Sequence, residues 1–516
     1  MKIVFFMTHP GFTRNYESTL ALLAERGHQI HLAFDGPPQV GKPGAVDALE
    51  AMYPSISHGP APDRDDVWSP LAGAIRALRN ALRYLHPRYR RATRLRERAI
   101  VWPLGPVLNA IAASPVSGQR GIRLLDRLLQ AVERIVPSSP AIERYLLEEL
   151  PDIVLLTPVV DFNTAQTDQL KSARALGIPT GVCVASWDNL TNKGLIQMVP
   201  DLVTVWNEHQ RREAVELHGI PKGRVVATGA QIFDEWFVRR PTATRAEFCA
   251  RLGLPEHRPI VLYTCSSQWI APHEVPFVRR WLKAVRSGPE PLASASILVR
   301  PHPQNAAQWQ GVDFPTLGPV AISPRDPSAS VSAASKADFY DALYHSTAVV
   351  GINTSALIEA GIVGRPVLSV LDDEHRNAQD GTLHFRYLVE ESGGLLQVAD
   401  GLPAHVEQLA AALTDQTAAE RAQAFVSSFI RPHGIRRPAT PILADALERL
   451  QALRPVPERS PGWALTARPV FFGAACLARL AWGLLKRRQR RPVDVSFGPM
   501  PGAATSEPAA SRSAFP

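Results

Sequence analysis

Along most of the chain, short β-branched runs alternate with stretches in which apolar residues recur every three or four positions. That alternation points to parallel sheets layered with helices. The first part predicts strands at Ile3–Met7, Gln29–Phe34, Ile153–Val160, Thr180–Ala185, Leu202–Trp206 and Val225–Thr228. It predicts helices over Tyr16–Arg26, Ile122–Val136, Thr164–Leu176 and Glu208–His218, and Ser139-Pro140 has the form of another helix start. Asp35–Pro70, rich in Pro, Gly and Asp, reads as loop. Pro241 and Pro255, with Pro259 just beyond, mark residues 239–258 as a linker. A second series follows, with strands at Ile260–Thr264, Ile297–Arg300, Ala348–Ile352 and Pro366–Val370. Its helices cover His273–Val285, Asp338–Tyr344, Ser355–Val363, His405–Leu413, Ala418–Phe429 and Pro441–Leu453. The fold class is therefore α/β, with two open-sheet domains over 1–238 and 259–453. A basic amphipathic segment over 454–491 and a Pro/Ala/Ser-rich, disordered tail over 492–516 complete the expectation.

Charge changes this picture through its placement. The 516 residues carry a net +8. Arg76–Ile100 holds nine Arg and one Glu, and Arg454–Arg491 holds nine Lys+Arg and one Glu, so each contributes +8 and the remainder sums to −8. Uniform basicity would suggest nucleic acid. Two cationic segments with apolar residues at helical spacing, on an acidic body, point instead to an anionic membrane surface. In Trp463–Leu485, Arg468 and Arg479 are eleven residues apart and Arg490 a further eleven, so they align on a helix to within ~20°. The pattern is a narrow cationic stripe with a wide apolar face, suited to the headgroup region. Spanning would bury two arginines at about 2.5–3.5 kcal/mol each. The four scattered cysteines have no metal-ligand or disulfide spacing, and Ile3–Met7 reads as a strand rather than a signal peptide. The expected location is the cytoplasm, peripheral at the inner face of the cell membrane.

Ligands in open α/β sheets bind at the carboxyl ends of strands, so four loops carry the candidate chemistry. In His9-Pro10-Gly11-Phe12-Thr13-Arg14 the histidine is a candidate general base, Gly11 admits a ligand to the backbone, and Arg14 suits phosphate or carboxylate. Trp187 in Ser186–Gly194 offers a stacking plate, with Asp188 and Asn189 for hydrogen bonds and Lys193 for charge; Asp161 or Asp188 could orient the base. Ser266 and Ser267, with Arg300 and His302 from the next strand end, can cradle phosphate oxygens. Thr354-Ser355 open a helix in which Glu359 lies one turn further along, within reach of a ribose. Asp63-Arg64-Asp65 sits in a Pro/Asp loop and reads as solvated, so no metal is expected.

The order strand–Thr/Ser–helix–Glu–Gly-x-Pro (residues 348–366), preceded by Arg300-Pro301-His302-Pro303, resembles the nucleotide-binding domain of glycosyltransferases of the GT-B fold. The nearest flavour is similar to CDP-glycerol glycerophosphotransferases and UDP-GlcNAc 2-epimerases of surface-polymer pathways. The opening Gly-x-x-Arg loop and Arg26-Gly27-His28 look like the acceptor domain of that fold. The resemblance implies two Rossmann-like domains facing a cleft. It also implies a nucleotide sugar as substrate, no separate cofactor, and a lipid-linked or polysaccharide acceptor. Ser266, Ser267, Thr354 and Ser355 would hold the diphosphate and Glu359 the ribose. The Gly-Gly-Ser phosphate loop of many relatives is absent, and Cys265-Ser266 stand where the epimerases carry His-Arg. That departure counts against epimerase chemistry; the alternatives to a transferase are an epimerase of the same fold and a membrane-associated scaffold without turnover.

Overall fold

The computed structural model describes residues 1–36, 44–90, 92, 93, 95, 110, 111, 114, 118–162, 164–325, 333–390, 394–415 and 417–489. The expected tail over 492–516, most of 91–117 and Arg490 lie outside the described residues.

In the first sheet, β1 (Lys2–Met7), β2 (Gln29–Phe34), β3 (Ile56–Pro60), β4 (Ile153–Thr157), β5 (Thr180–Cys183), β6 (Leu202–Val205) and β7 (Val225–Ala227) run in the order β3-β2-β1-β4-β5-β6-β7. In the second, β8 (Ile260–Thr264), β9 (Ser296–Arg300), β10 (Val320–Ile322), β11 (Ala348–Gly351), β12 (Val367–Leu371) and β13 (Leu396–Asp400) run β10-β9-β8-β11-β12-β13. Every pairing is parallel. Both orders are those of doubly wound sheets, so the chain has two Rossmann-like α/β domains.

Each sheet is buried on both faces, which is why its central strands read as continuous apolar runs. Gly351 is demanded by packing: a Cβ there would stand 2.7 Å from Thr264 Oγ1, where β11 closes on β8. Helix Ala439–Gln451 comes after the second sheet but packs on the first, through Leu443, Ala444, Leu447 and Leu450. Helix Arg245–Leu252 lies within the stretch read as linker. A Thr244/Glu247 capping box starts it, and its Phe248 and Cys249 join the second domain's core.

Three strands were not anticipated, and all are edge strands: β3, β10 and β13. An edge strand buries little, so its hydrophobic pattern is faint; in β3 only Ile56 is buried. Helix Gly44–Met52 also occupies part of what reads as loop.

The first cationic helix, Ser69–Arg83, turns its charges inward. Arg76 bridges Asp168 (2.6 Å) and Glu133 (2.8 Å), and Arg79 pairs with Asp126 (2.8 Å). Arg83 caps the carbonyls of Leu190, Lys193 and Gly194. Arg64 is likewise buried and joins Asp168 at 2.7 Å, so of Asp63-Arg64-Asp65 only the two aspartates are solvated. These arginines are structural and do not face a membrane.

Helix Gly462–Gln489 packs along helices Ser69–Arg83 and Gln119–Ile135 through Phe471 and Ala475. Here the expected orientation of the stripe is reversed. Arg468 donates to the Ile135 carbonyl (3.1 Å) and to Ser460 (2.8 Å), and Arg479 donates to the Asp65 carbonyl (2.7 Å). Terminal carbonyls of a helix attract cations, which explains why Arg468 turns toward the body.

Candidate functional site

Strand order reverses between β1 and β4 in the first sheet and between β8 and β11 in the second. Such reversals open a crevice at the carboxyl ends of the strands. The loop holding His9, Gly11 and Arg14 leaves β1, Asp161 follows β4, Ser266 and Ser267 follow β8, and Thr354 and Ser355 follow β11. Sequence reading thus brought candidates to both reversals.

On the first domain, His9 opens the short 3-10 turn Pro10–Asn15, and its Nδ1 accepts the Gly11 N–H at 3.1 Å. In the neutral ring this leaves the proton on Nε2. Burial lowers the His9 pKa; Asp161 opposes that and Arg14 and Lys193 add to it. Asp161 is held by Lys193 Nζ at 2.6 Å and by the Thr8 hydroxyl at 3.3 Å. Arg14 is exposed at the end of the turn.

On the second domain, Ser266 is fully buried. Its N–H donates to Glu274 Oε2 at 2.9 Å, so that amide is engaged and does not serve a phosphate. Glu274 also accepts from the Tyr263 hydroxyl at 3.0 Å, and Asn305 Nδ2 donates to the Ser266 carbonyl at 3.3 Å. Burial pushes the Glu274 carboxyl up to about 8. Ser267 lies half-exposed beyond this anchor. His302 accepts the Gln304 N–H at 3.2 Å, and burial followed by Arg14 lowers its pKa to about 4, so the ring is neutral. Arg300 is tied to Asp338 at 2.7 Å and lies 4.9 Å above the Phe339 ring. Thr354 Oγ1 accepts the Ala356 N–H at 3.4 Å, while Ser355 is exposed with no side-chain cap bond.

Glu359 links the two halves. It is only partly exposed, and burial pushes its carboxyl up to about 8; Arg14 and Arg300 oppose the rise and Glu235 adds to it. The charge of Arg14, on the first domain, thus acts on both Glu359 and His302 of the second. The second domain thus offers a neutral imidazole and a proton-holding carboxyl, both under the influence of a cation on the first.

Asp188 is not brought to His9. It accepts from Asn189 and Asn192 at 3.3 Å each, and against the upward push of burial, His384 and Lys193 hold it below the usual carboxylate value. Trp187 is buried edge-on to His384, with ring centroids 4.8 Å apart, and is no open stacking plate. Among the described residues, sequence reading missed Glu274, Asn305 and His384. Their roles depend on partners that only the fold brings near, and no local motif marks them.

No protein-family model matches the chain, and no curated protein matches it. Among solved structures it is similar in fold to UDP-GlcNAc 2-epimerase from Neisseria meningitidis bound to UDP-GlcNAc (13% identity, 87% of this chain and 100% of that chain, TM-score 0.47). It is also similar to S. aureus MnaA with UDP (14%, 89% and 99%, 0.48) and a glycosyltransferase from Rickettsia africae (10%, 87% and 98%, 0.48). Values this low carry no substrate, activity or residue role over to this chain.

Proposed function

We propose that the protein is a glycosyltransferase that moves a sugar, or a polyol phosphate, from a nucleotide-activated donor to a cell-surface or lipid-linked acceptor. The reading rests on the placement of His9 and Arg14 at the reversal of one sheet and of Ser267, Thr354, Ser355 and Glu359 at the reversal of the other, with the Arg14 charge acting on Glu359 and His302. The donor would lie on the second domain, its ribose hydroxyls on Glu359. Its diphosphate would lie near Ser267, Thr354, Ser355 and His302, with Ser266 holding the loop. Arg14, the one candidate cation there without a carboxylate tied to it among the described residues, would balance the departing diphosphate; Arg300 is largely committed to Asp338.

For a sugar donor, the acceptor hydroxyl attacks the anomeric carbon, the bond from that carbon to the diphosphate oxygen breaks, and the nucleoside diphosphate leaves with the bonding electrons. The hydroxyl proton passes to a base, for which His9 is the candidate. Burial keeps its ring neutral, and Asp161 favours the imidazolium formed. The atom able to accept is Nδ1, now occupied by Gly11 N–H, so the acceptor must displace that bond. Asp188 has no part in this step.

The transferase and epimerase readings separate in one assay. The chain is incubated with UDP-, CDP- and GDP-activated sugars, with and without a polyprenyl-phosphate-linked saccharide. Acceptor-dependent release of nucleoside diphosphate is expected. A donor epimerised without acceptor would replace the transferase reading by the epimerase one, and no turnover of any donor would leave a scaffold.

A further inference from the structure

Helix Gln119–Ile135 presents Arg120, Arg123, Arg127 and Arg134 to solvent, together with Leu124 (59% exposed) and Leu128 (55%). Positions 120, 123, 124, 127 and 128 recur every three or four residues, Arg134 follows two turns after Arg127, and all share one face. The opposite face packs inward through Leu125, Leu129 and Val132. Its acidic residues are spent elsewhere, Asp126 on Arg79 and Glu133 on Arg76 and Lys171, so the outer face is cationic and apolar at once. Alongside it, the tail helix buries Ala464 and Ala475, turns Arg468 and Arg479 to carbonyls of the body, and leaves outward Leu465, Val470 (77%), Leu477 (69%) and Leu480 (67%). Scattered exposed leucines mean nothing, but two neighbouring helices that both turn apolar residues out make a patch without a partner among the described residues.

We infer that this two-helix face is a membrane-docking surface, whose leucines enter the headgroup–acyl boundary of an anionic bilayer while Arg120, Arg123, Arg127 and Arg134 contact lipid phosphates. Charge selects this occupant. A second copy packed symmetrically would bring four arginines against four more without a carboxylate between them. Spanning is disfavoured by the body. Among the described residues, Gly462–Trp482 is the one helix long and apolar enough to cross a membrane, with mean hydropathy 1.3. Crossing would strip Arg468 and Arg479 of their carbonyl partners and pull Ala464 and Ala475 from the core. The arginines the sequence marks as cationic, Arg76, Arg79 and Arg83, take no part. The docking face is built from residues outside that segment. Arg479 bonds Asp65, in the loop leaving β3 at the carboxyl end of the first sheet, so the face runs toward the edge that carries His9. The inference does not depend on the chemistry assigned to the crevice.

The test is flotation of the full chain with phosphatidylcholine vesicles, with and without about a quarter phosphatidylglycerol. The wild type is expected to partition onto the anionic vesicles and to leave them as salt rises. L124E/L128E and L477E/L480E should each lower the partition coefficient at least tenfold, and R120E/R123E/R127E should remove the preference for anionic lipid. Unchanged far-UV circular dichroism must accompany each loss, and the three variants report independently. Wild-type binding by the leucine variants, or equal binding to neutral and anionic vesicles, would overturn the inference. So would a wild-type dimer that the same variants split without vesicle binding, or a full chain that resists alkaline carbonate extraction from membranes.

Discussion

Glu359 and Glu274 are two carboxyls whose protons are held by burial, and they differ in what a ligand can do to them. Glu274 is spent on the Ser266 amide and the Tyr263 hydroxyl inside the protein. Removing it in Glu274→Ala leaves the Ser266 N–H without its acceptor, a loss of about 1–3 kcal/mol of stability measurable by urea titration. Glu274→Gln keeps an acceptor oxygen and should cost well under half of that. Glu359 stands where ribose hydroxyls could replace lost water. Carboxylate accepts such hydroxyls better than the neutral acid, so donor affinity should rise between pH 6.5 and 8.5 as the group ionises near 8. Arg14→Ala should weaken donor binding about tenfold or more, by removal of the cation opposite Glu359, without a change in folding stability beyond about 0.5 kcal/mol. A binding isotherm paired with a melting curve checks both halves of that statement.

At the scale of elements, the helix Ser69–Arg83 shows how a charge pattern and its meaning separate. Leu78, Leu82 and Leu85 on one side and Arg76, Arg79 and Arg83 on the other are plain in the sequence, yet both sides are buried. The partners Asp126, Glu133 and Asp168 lie 47 to 92 residues away along the chain, so no local reading could pair them. Arg76→Leu should destabilise by about 3–5 kcal/mol, because it strands Asp168 and Glu133 among buried groups. Arg120→Leu, on the exposed face, should stay within about 0.5 kcal/mol by the same thermal or chemical unfolding measurement. The central strands were legible because both faces of each sheet are covered. The edge strands β3, β10 and β13 were not, since residues such as Ser57, His58 and Pro60 carry little of that signal. The site divides the same way. Loops leaving β1, β8 and β11 could be located from strand–loop–helix order, as could Glu359 one turn into its helix. The support from Glu274 and the diversion of Asp188 to His384 depend on contacts between distant segments.

For the molecule as a whole, burial sets the pH dependence of stability. Asp35 is raised to about 6, Glu213 to about 7, and Glu274 and Glu359 to about 8, chiefly by burial. Each binds its proton more tightly folded than unfolded, so its favourable contribution is present below the ordinary carboxyl range and is lost as pH rises through these values. His302 and His405, lowered to about 4 by burial, act in the opposite sense: the unfolded chain takes up their protons first as pH falls below about 6.5. Above about pH 6.5 the histidines no longer titrate, so the melting temperature should decline from there through pH 8, and E274Q/E359Q should flatten that decline. A melting curve that rises steadily to pH 9 would contradict this balance.

The proposed function requires that a nucleoside diphosphate be held at the second sheet's reversal with its ribose on Glu359. Isothermal titration of the wild type and Glu359→Gln with UDP, CDP and GDP at pH 6.5 and 8.5 tests it most directly. At least one nucleotide should bind the wild type, more tightly at pH 8.5, and Glu359→Gln should bind it at least tenfold more weakly with no such dependence on pH. Absence of binding by all three, or equal affinities for the wild type and the variant at both pH values, would contradict it.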